Sequence, residues 1–251
     1  VVLLCFFLVL PLLSSLIPTF FPRNSFSFQL YSEFFKDSYF MRVLWRTLVN
    51  SFIVTLICAV LGLPVSYVIS GVSKKWKGIL IALTLFPLLT NSVIRSFAWI
   101  TILGKNGVIN SLLMQWGIIK EPITLLYTDF SIIIGSVYLF LPTMVMTLIG
   151  VLENIDDDIL EAASTLGLSP IKIFLKIIFP LSLPGMLVGS VLVFTGTLTA
   201  YTTPQLLGGN KKMMLATLLY QRATALGDWT SASVIALVMI VITFIVMKGF
   251  N

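Results

Sequence analysis

The chain has 251 residues, of which 58% are hydrophobic and 10% are charged, and its formal net charge is +6. Soluble domains carry roughly 25% charged residues, so this composition excludes a soluble globular protein and indicates an integral membrane protein. The chain contains no His, which excludes zinc sites built on imidazole and Ser-His-Asp triads. We interpret the positive charge as Lys and Arg flanking membrane spans, and we expect no nucleic-acid partner.

Six charge-poor stretches are long enough to cross the hydrocarbon core, which takes about 20 apolar residues. No A-x-A-like cleavage site follows the first stretch, so we expect a span there and not a signal peptide. The fifth stretch is too long for one span, and its first part, with Pro180 and Pro184, is predicted to lie at the membrane interface. The six stretches cover residues 1–22, 47–73, 78–94 (continuing past Arg95 to 104), 130–152, 177–210 and 229–247.

Residues 31–46, "YSEFFKDSYFMRVLWR", mix aromatic side chains with both signs of charge. This composition predicts a short helix lying in the headgroup region, with the aromatic rings as anchors. The distribution of Lys and Arg leaves the orientation open. Most of them fall on the side of the Arg42 loop, whereas the tightest cluster, Lys74, Lys75 and Lys77, falls on the other.

The polar segment between the fourth and fifth spans is predicted to form two short helices. Asn154 or Asp156 caps a helix over about 156–166, and Gly167 ends it. Ser169 and Pro170 then start a second helix at once. Each helix is expected to carry an apolar stripe, formed by Ile159, Ala163 and Leu166 on the first and by Ile171, Phe174, Leu175 and Ile178 on the second.

Spacing alone leaves two interpretations of this segment. It is a solvated loop with helical character, or it is a surface that a partner protein recognises. Residue identity favours the second. "EAASTLG", followed after nine residues by "IIFP", resembles the EAA motif of the membrane subunits of binding-protein-dependent ABC importers. The family pattern is E-A-A, three residues, Gly, nine residues, then Ile-x-Leu-Pro, and Phe179 replaces its Leu. The matching residues are Glu161, Ala162, Ala163, Gly167, Ile177 and Pro180.

Two further stretches, "PLLTNSVIRSFAWITILGKNGVIN" (87–110) and "YTTPQLLGG" (201–209), resemble the polyamine (spermidine/putrescine) branch of these permeases. The resemblance implies an all-α fold of the type I ABC importer permease, with six transmembrane helices. One permease domain would cover residues 1–251 and contain a cytoplasmic coupling loop at 153–180. It also implies the bacterial inner membrane, with both termini in the cytoplasm.

The resemblance also implies the partners: a cytoplasmic ATPase dimer, a second and distinct permease subunit, a periplasmic substrate-binding protein and membrane lipid. The chain contains no G-x-x-x-x-G-K-[ST], so we expect ATP and Mg²⁺ to be bound by the ATPase and no cofactor or metal by this chain, which is not expected to be an enzyme. No acidic residue lies within a predicted span, which argues against coupling to an ion gradient through a buried carboxylate. A secondary carrier, a channel and a membrane scaffold remain the alternatives.

The only charge inside a predicted span is Arg95, for which two placements stay open. It lies on the solute path or on an interface with the second permease, or it extends to the headgroups. A polyamine would suit carboxylates and aromatic faces, of which Asp228 and Trp229 form the best pair. An amino-acid-like solute, a phosphonate or iron is the alternative cargo. The remaining candidates for the path are Asn91, Trp99, Tyr138, Tyr201 and Gln205, with Tyr220 a weaker one.

Overall fold

The structure is a computed structural model that describes residues 2–21 and 27–249. Over these residues all regular secondary structure is helical, without a strand. The first predicted span is bounded by Val1 and Pro22, which both lie outside the described residues. The helices are α1 (Val2–Phe20), α2 (Gln29–Lys36), α3 (Ser38–Gly71), α4 (Lys74–Leu89), α5 (Ser92–Leu103), α6 (Val108–Gln115), α7 (Asp129–Leu152), α8 (Asp157–Thr165), α9 (Pro170–Ile173), α10 (Phe179–Thr199), α11 (Thr202–Gly208), α12 (Leu215–Tyr220) and α13 (Trp229–Gly249).

Among the described residues, four helices are long and apolar enough to cross a membrane: α3, α7, the continuous helix Pro170–Thr199 and α13. A fifth span is possible where α4 meets the helical stretch Ser92–Gln115, a pair bent by 92°. The first predicted span coincides with α1, a helix of 19 residues without a charged side chain. Each of the six predicted stretches therefore corresponds to a helix or, for the third, to a bent helix pair.

The core of the bundle is formed by α3, α7 and α10. The first two run parallel, because three side-chain hydrogen bonds join them at one constant sequence offset of 79 residues. Each of the three helices packs on the other two, and Met144 of α7 contacts both α3 and α10. A Cβ atom added at Gly62 of α3 or at Gly189 of α10 would lie 2.6 Å from the Met144 side chain. The two glycines allow this close approach of the three helices.

The prediction for the fifth stretch was wrong in one respect. Its first part does not precede the membrane helix as a separate segment, because Pro180 and Pro184 belong to one continuous helix over Pro170–Thr199. Its position at the membrane interface stays a prediction. A π-helical turn at Phe174–Ile178 precedes Pro180, and there the Phe179 N–H bonds to the Phe174 carbonyl. Ser182 is fully buried, so this part of the helix packs inside the bundle. The extra length of the stretch lies at its other end, where the chain breaks at Ala200 and forms α11.

The predicted interface helix over residues 31–46 was also wrong in its extent. Helix α2 ends at Lys36, and Asp37 caps a new helix by accepting a hydrogen bond from the Tyr39 N–H at 2.7 Å. The second half of the segment is therefore the first part of α3, which is 34 residues long. Phe34 of α2 is buried and stacks on Phe40 of α3, with 4.9 Å between the ring centroids.

The bundle has two distinct ends. We call one the coupling end, formed by residues 67–77 and 153–178, and the other the far end, formed by residues 37–50, 127–135 and 201–215. Helix α11 lies at the far end against α5 and the start of α7. A Cβ atom at Gly135 of α7 would come within 2.5 Å of Leu207 and 2.9 Å of Thr203. This tight contact positions α11 on the bundle.

Candidate functional site

Two short helices at the coupling end form the segment that carries the EAA pattern. The Asp156 carboxylate caps α8 by accepting a hydrogen bond from the Asp158 N–H at 3.1 Å. The helix ends in a turn at Gly167, whose φ of +80° lies in the left-handed region that favours glycine. Helix α9 then begins at Pro170. The predicted first short helix and its glycine turn are confirmed, whereas the predicted second short helix was wrong in its extent, because it continues as one helix from Pro170 to Thr199.

The predicted apolar stripes of these helices were wrong. Ala163 is 4% exposed and packs on the core, whereas Ile159 and Leu166 of the same predicted stripe are 47% and 84% exposed. The inward residues of α8 are Ala163 and the half-buried Leu160, which are three positions apart and contact the core beside Ile155 and Leu168. Because α8 has only nine residues and ends at Thr165, Leu166 leaves the helix and points away.

The apolar side chains of the second helix are likewise divided between the core and the outer side. Ile173 and Ile178 are buried, whereas Ile171 and Leu175 are 72% and 58% exposed. The exposed apolar side chains therefore form a surface on the outside of the segment. We call it the coupling surface and define it by Ile159, Glu161, Ala162, Leu166 and Ile171.

Not all residues of the EAA pattern lie on the coupling surface. Glu161 and Ala162 are exposed, whereas Ala163 faces the core. A Cβ atom at Gly167 would meet nothing within 4 Å, so only its backbone conformation requires glycine. Ile177 is half-buried in the π-helical turn, and Pro180 lies in the first turn of α10. These last two residues shape the connection from the segment to the core helix.

An ion pair and a cavity behind α8 were not predicted from the sequence. The Lys77 ammonium lies 3.0 Å from the Glu153 carboxylate, which joins the start of α4 to the end of α7. Beside it lies a cavity of about 510 Å³, lined among others by Tyr67, Leu160 and Ile178. Part of α8, at Leu160, therefore faces this cavity and not a continuously packed core.

Among the predicted path residues, the structure brings Trp99 and Tyr138 together. Their rings belong to α5 and α7 and meet edge to face, with 5.8 Å between the centroids. Both side chains are half-buried. A second aromatic pair, Tyr201 and Tyr220, has centroids 4.4 Å apart, and the Gln205 N–H bonds to the Tyr201 carbonyl.

Arg95 does not extend away from the protein to the headgroups, whereas its predicted place on the solute path or at an interface with the second permease stays a prediction. Its side chain is 7% exposed and donates hydrogen bonds to the carbonyls of Pro87, at 2.7 Å, and Thr90, at 3.4 Å. These carbonyls lie at the end of α4, where helical partners run out. Asn91 caps α5 by accepting hydrogen bonds from the N–H groups of Val93 and Ile94. Arg95 and Asn91 together close the 92° bend between α4 and α5.

The Asp228–Trp229 pair lies apart from Trp99 and Tyr138. The Asp228 carboxylate accepts a hydrogen bond from the Ser231 N–H at 3.0 Å and lies 3.6 Å from the Arg222 guanidinium. Hydrogen bonding from the Ser231 side chain, aided by Arg222, holds the pKa of this carboxyl below its ordinary value. Trp229 is 67% exposed and lies beside Pro18 and Thr19 of α1. Within the protein, the carboxylate thus already has a cationic partner.

A cluster of charged side chains at the far end was also not predicted from the sequence. The Asp129 carboxylate lies 3.3 Å from the Arg46 guanidinium and 2.6 Å from the Lys212 ammonium. Arg46 also donates to the Met213 carbonyl at 3.3 Å. The cluster joins the starts of α3 and α7 to the chain after α11. The sequence places Asp129 at the end of a span. Its partners Arg46 and Lys212 are each 83 residues away along the chain, so no local pattern predicts these ion pairs.

Comparisons with known proteins agree with this geometry. The sequence profile of the family described as the binding-protein-dependent transport system inner membrane component matches residues 4–250. The chain is 32% identical over 241 residues to the spermidine/putrescine transport system permease protein PotB of Haemophilus influenzae, which covers 93% of this chain and 84% of that protein. It is 34% identical over 209 residues to PotB of Escherichia coli, covering 83% and 76%.

A solved structure shows the same fold. It is the crystal structure of a bacterial alginate ABC transporter in complex with an alginate pentasaccharide-bound periplasmic protein. The superposition has a TM-score of 0.84 at 16% identity and covers 100% of this chain and 89% of that chain. The predicted fold class, an all-α ABC importer permease, is confirmed, as is the resemblance to the polyamine branch. The chain therefore belongs to the family of inner membrane components of binding-protein-dependent transport systems, as a multi-pass, non-enzymatic permease subunit of an ABC importer.

Proposed function

We propose that this chain is the permease subunit of an ATP-driven importer of polyamines of the spermidine and putrescine class. The support is the identity of 32% and 34% with relatives that are named for those solutes, over most of the chain. Residues 1–251 act in this proposal as a single domain, with the coupling loop 153–180 inside it. The chain itself performs no covalent chemistry.

The exposed coupling surface is the observation that carries the proposed mechanism. Leu166 is 84% exposed and Ile171 is 72% exposed, while Ala163 and Ile173 anchor the same two helices on the core. Apolar side chains presented to water in this way favour a protein partner. In an importer this partner is the cytoplasmic ATPase dimer, which binds ATP and Mg²⁺. Closure of that dimer moves α8 and α9, and the anchored side chains transmit the motion to α7 and α10.

The proposal also places the molecule in the bacterial inner membrane. The coupling end and both termini face the cytoplasm, and the far end faces the periplasmic binding protein. A second, related permease, similar to the PotC type, pairs with this chain as a heterodimer. The EAA pattern at the coupling end supports this orientation, because the ATPase that it would contact is cytoplasmic.

The Trp99–Tyr138 pair is the proposed contact for the solute. Both rings are half-buried and perpendicular to one another, which leaves aromatic faces for an alkylammonium. Asp228 is less suited than the sequence alone indicated, because Arg222 already balances its charge. Asn91, Arg95, Tyr201, Gln205 and Trp229 stay predicted path residues, although Asn91 and Arg95 also have the local role of closing the bend.

A crosslinking experiment tests the coupling surface. A photoreactive amino acid replaces Leu166 in the assembled transporter in native membranes, and the matched control replaces Leu226, which is 60% exposed before α13. We expect an adduct with the ATPase from position 166 and none from position 226. The coupling role is excluded if position 166 captures no nucleotide hydrolase.

A transport experiment tests the cargo. The chain is reconstituted in liposomes with its ATPase, second permease and binding protein, and uptake of labelled spermidine is measured with ATP present or absent. We expect ATP-dependent uptake that Trp99→Ala lowers about tenfold, which corresponds to roughly 1.4 kcal/mol and lies within the range of a cation–π contact. ATP-dependent uptake of an amino acid, a phosphonate or ferric iron in place of spermidine would contradict the polyamine assignment. Flux through this chain without the ATPase would instead indicate a channel or carrier, and no flux in any combination a scaffold.

A further inference from the structure

A groove at the far end, between α3 and α7, has no role in the mechanism described above. Its volume is about 680 Å³. Charged and polar side chains lie around one part of it, namely Arg42, Arg46, Asn50 and Asp129, and apolar side chains line the rest. This distribution favours a ligand that has a charged group at one end and an apolar chain at the other.

The charges around the groove do not cancel. Asp129 is the carboxylate of the cluster, and Arg46 and Lys212 both lie within 3.3 Å of it. Arg42, one turn before Arg46, is exposed and has no carboxylate within ion-pair distance among the described residues. Two guanidinium groups and one carboxylate therefore line the groove, and Lys212 adds a further positive charge beside that carboxylate. The charged part of the groove carries an excess of positive charge and favours an anionic group.

The apolar part of the groove continues along the membrane-spanning length of α3. Val49 and Ile53 of α3 and Ile133 of α7 line it as half-buried side chains. The exposed Leu56 and Val60 extend the same face of α3 beyond it. From Arg42 to Ile53 a helix rises about 16 Å, at about 1.5 Å per residue. This length is close to one leaflet, which is half of a hydrocarbon core of about 30 Å.

We propose that this groove binds one anionic phospholipid. The phosphate lies between the guanidinium groups of Arg42 and Arg46, and one acyl chain lies along Val49, Ile53 and Ile133. Trp45, which is 69% exposed at the groove, lies at the headgroup level where indole rings are enriched. The order of charge and apolar surface along α3 matches that of a lipid in one leaflet. A protein helix in the same place would need a carboxylate for Arg42 and an apolar face for the remainder.

The proposal does not depend on the cargo or on the ATPase, and binding to the full chain tests it directly. The purified chain in detergent is mixed with phosphatidylglycerol or with phosphatidylcholine of the same acyl chains, and bound lipid is counted by native mass spectrometry. We expect phosphatidylglycerol to be retained in preference, and Arg42→Gln to weaken its binding about fivefold. Lys211→Gln is the matched control, because Lys211 is exposed at the same end but does not line the groove. Equal retention of both lipids, or unchanged retention by Arg42→Gln, would overturn the proposal.

A second measurement distinguishes a lipid from a protein in the groove. A photoreactive amino acid at Ile53 is activated in native membranes that contain the whole assembly. An adduct with the mass of one phospholipid supports the proposal. An adduct with the mass of a polypeptide refutes the proposal and identifies the groove as a subunit interface. The absence of any adduct also refutes it.

Discussion

The coupling segment and the chain from α11 to α12 differ in how completely the rest of this permease covers them. At the coupling end, α8 and α9 rest on the core through a few side chains and over a cavity of about 510 Å³, and several large apolar side chains remain in solvent. At the far end, most of the chain from α11 to α12 is buried or half-buried, and it is bonded to α3 and α7. There, the Ser131 hydroxyl donates to the Leu207 carbonyl, and the Leu215 N–H donates to the Thr47 hydroxyl.

This difference separates a segment whose outer face is free for a partner from a segment that the other helices of this chain already hold. A surface that transmits force must be held on the core yet leave its outer face free, as Ala163 and Leu166 show at 4% and 84% exposure. A segment locked on every side, such as α11, moves only together with the helices that it contacts. Substitutions at the two ends should therefore have different consequences, and each of the following measurements tests that contrast.

The largest effect is expected for Gly135→Leu at the far end. A side chain there would lie 2.5 Å from Leu207, so α11 must shift or the helix pair must separate. Overpacking of this kind costs about 1–3 kcal/mol in the free energy of unfolding. Thermal unfolding of the purified chain measures it, and Gly150→Leu in the same helix is the control, since its Cβ would meet nothing within 4 Å. Equal unfolding temperatures for the two variants would show that α11 is not tightly packed.

A smaller effect is expected for Gly167→Ala at the coupling end. The new side chain meets no atom within 4 Å, so the cost comes only from its φ of +80° and amounts to about 1–2 kcal/mol. Gly150→Ala is the matched variant, because it has the same free space but a helical backbone, and it should gain roughly 0.5–1 kcal/mol. We expect Gly167→Ala to reduce ATP-driven uptake by the assembled transporter while the chain stays folded. Full uptake by this variant would argue against a mechanical role for the glycine turn.

An effect of about 1 kcal/mol is expected for Asp129→Asn, because the charged cluster is partly open to solvent and ion pairs of that kind contribute little. The substitution leaves Arg46 and Lys212 close together without a full negative charge between them. Denaturant or thermal unfolding measures the loss. Asp158→Asn at the coupling end, where the side chain is exposed, should change stability less. The reverse order would show that the far end is not held by this cluster.

The smallest effect is expected from the protonation of Asp228. Its pKa lies below the ordinary value because of Ser231 and Arg222, so the carboxylate contributes stability above the unfolded pKa of about 3.9. This contribution is lost as the pH falls through the lowered pKa. The difference in unfolding temperature between the parent chain and Asp228→Asn should be constant from pH 8 to about 5 and shrink below about pH 4. A difference that persists at low pH would mean that the charge of Asp228 is not what stabilises the start of α13.

Local patterns in the sequence were enough to predict the membrane class, the approximate spans and the coupling segment with its glycine turn. These features depend on local information: apolar length, capping residues, prolines and a glycine that must adopt a positive φ. Each of these features extends over one helix turn or one span, so it can be predicted without knowledge of the rest of the chain. The EAA pattern is local in the same sense, and it identified the family.

Burial and charge pairing depend on how the helices pack, and local patterns in the sequence did not predict them. In α8, apolar side chains lie both on the core side and on the outer side, so apolar spacing does not mark the buried face, and Ile159 and Ala163 were wrongly grouped. The partners of Asp129 and Arg95 were likewise hidden, because ion pairs and carbonyl contacts form between helix ends that meet only when the bundle packs. The continuation of the fifth span through Pro180 also required the structure, since a π-helical turn accommodates the missing N–H there.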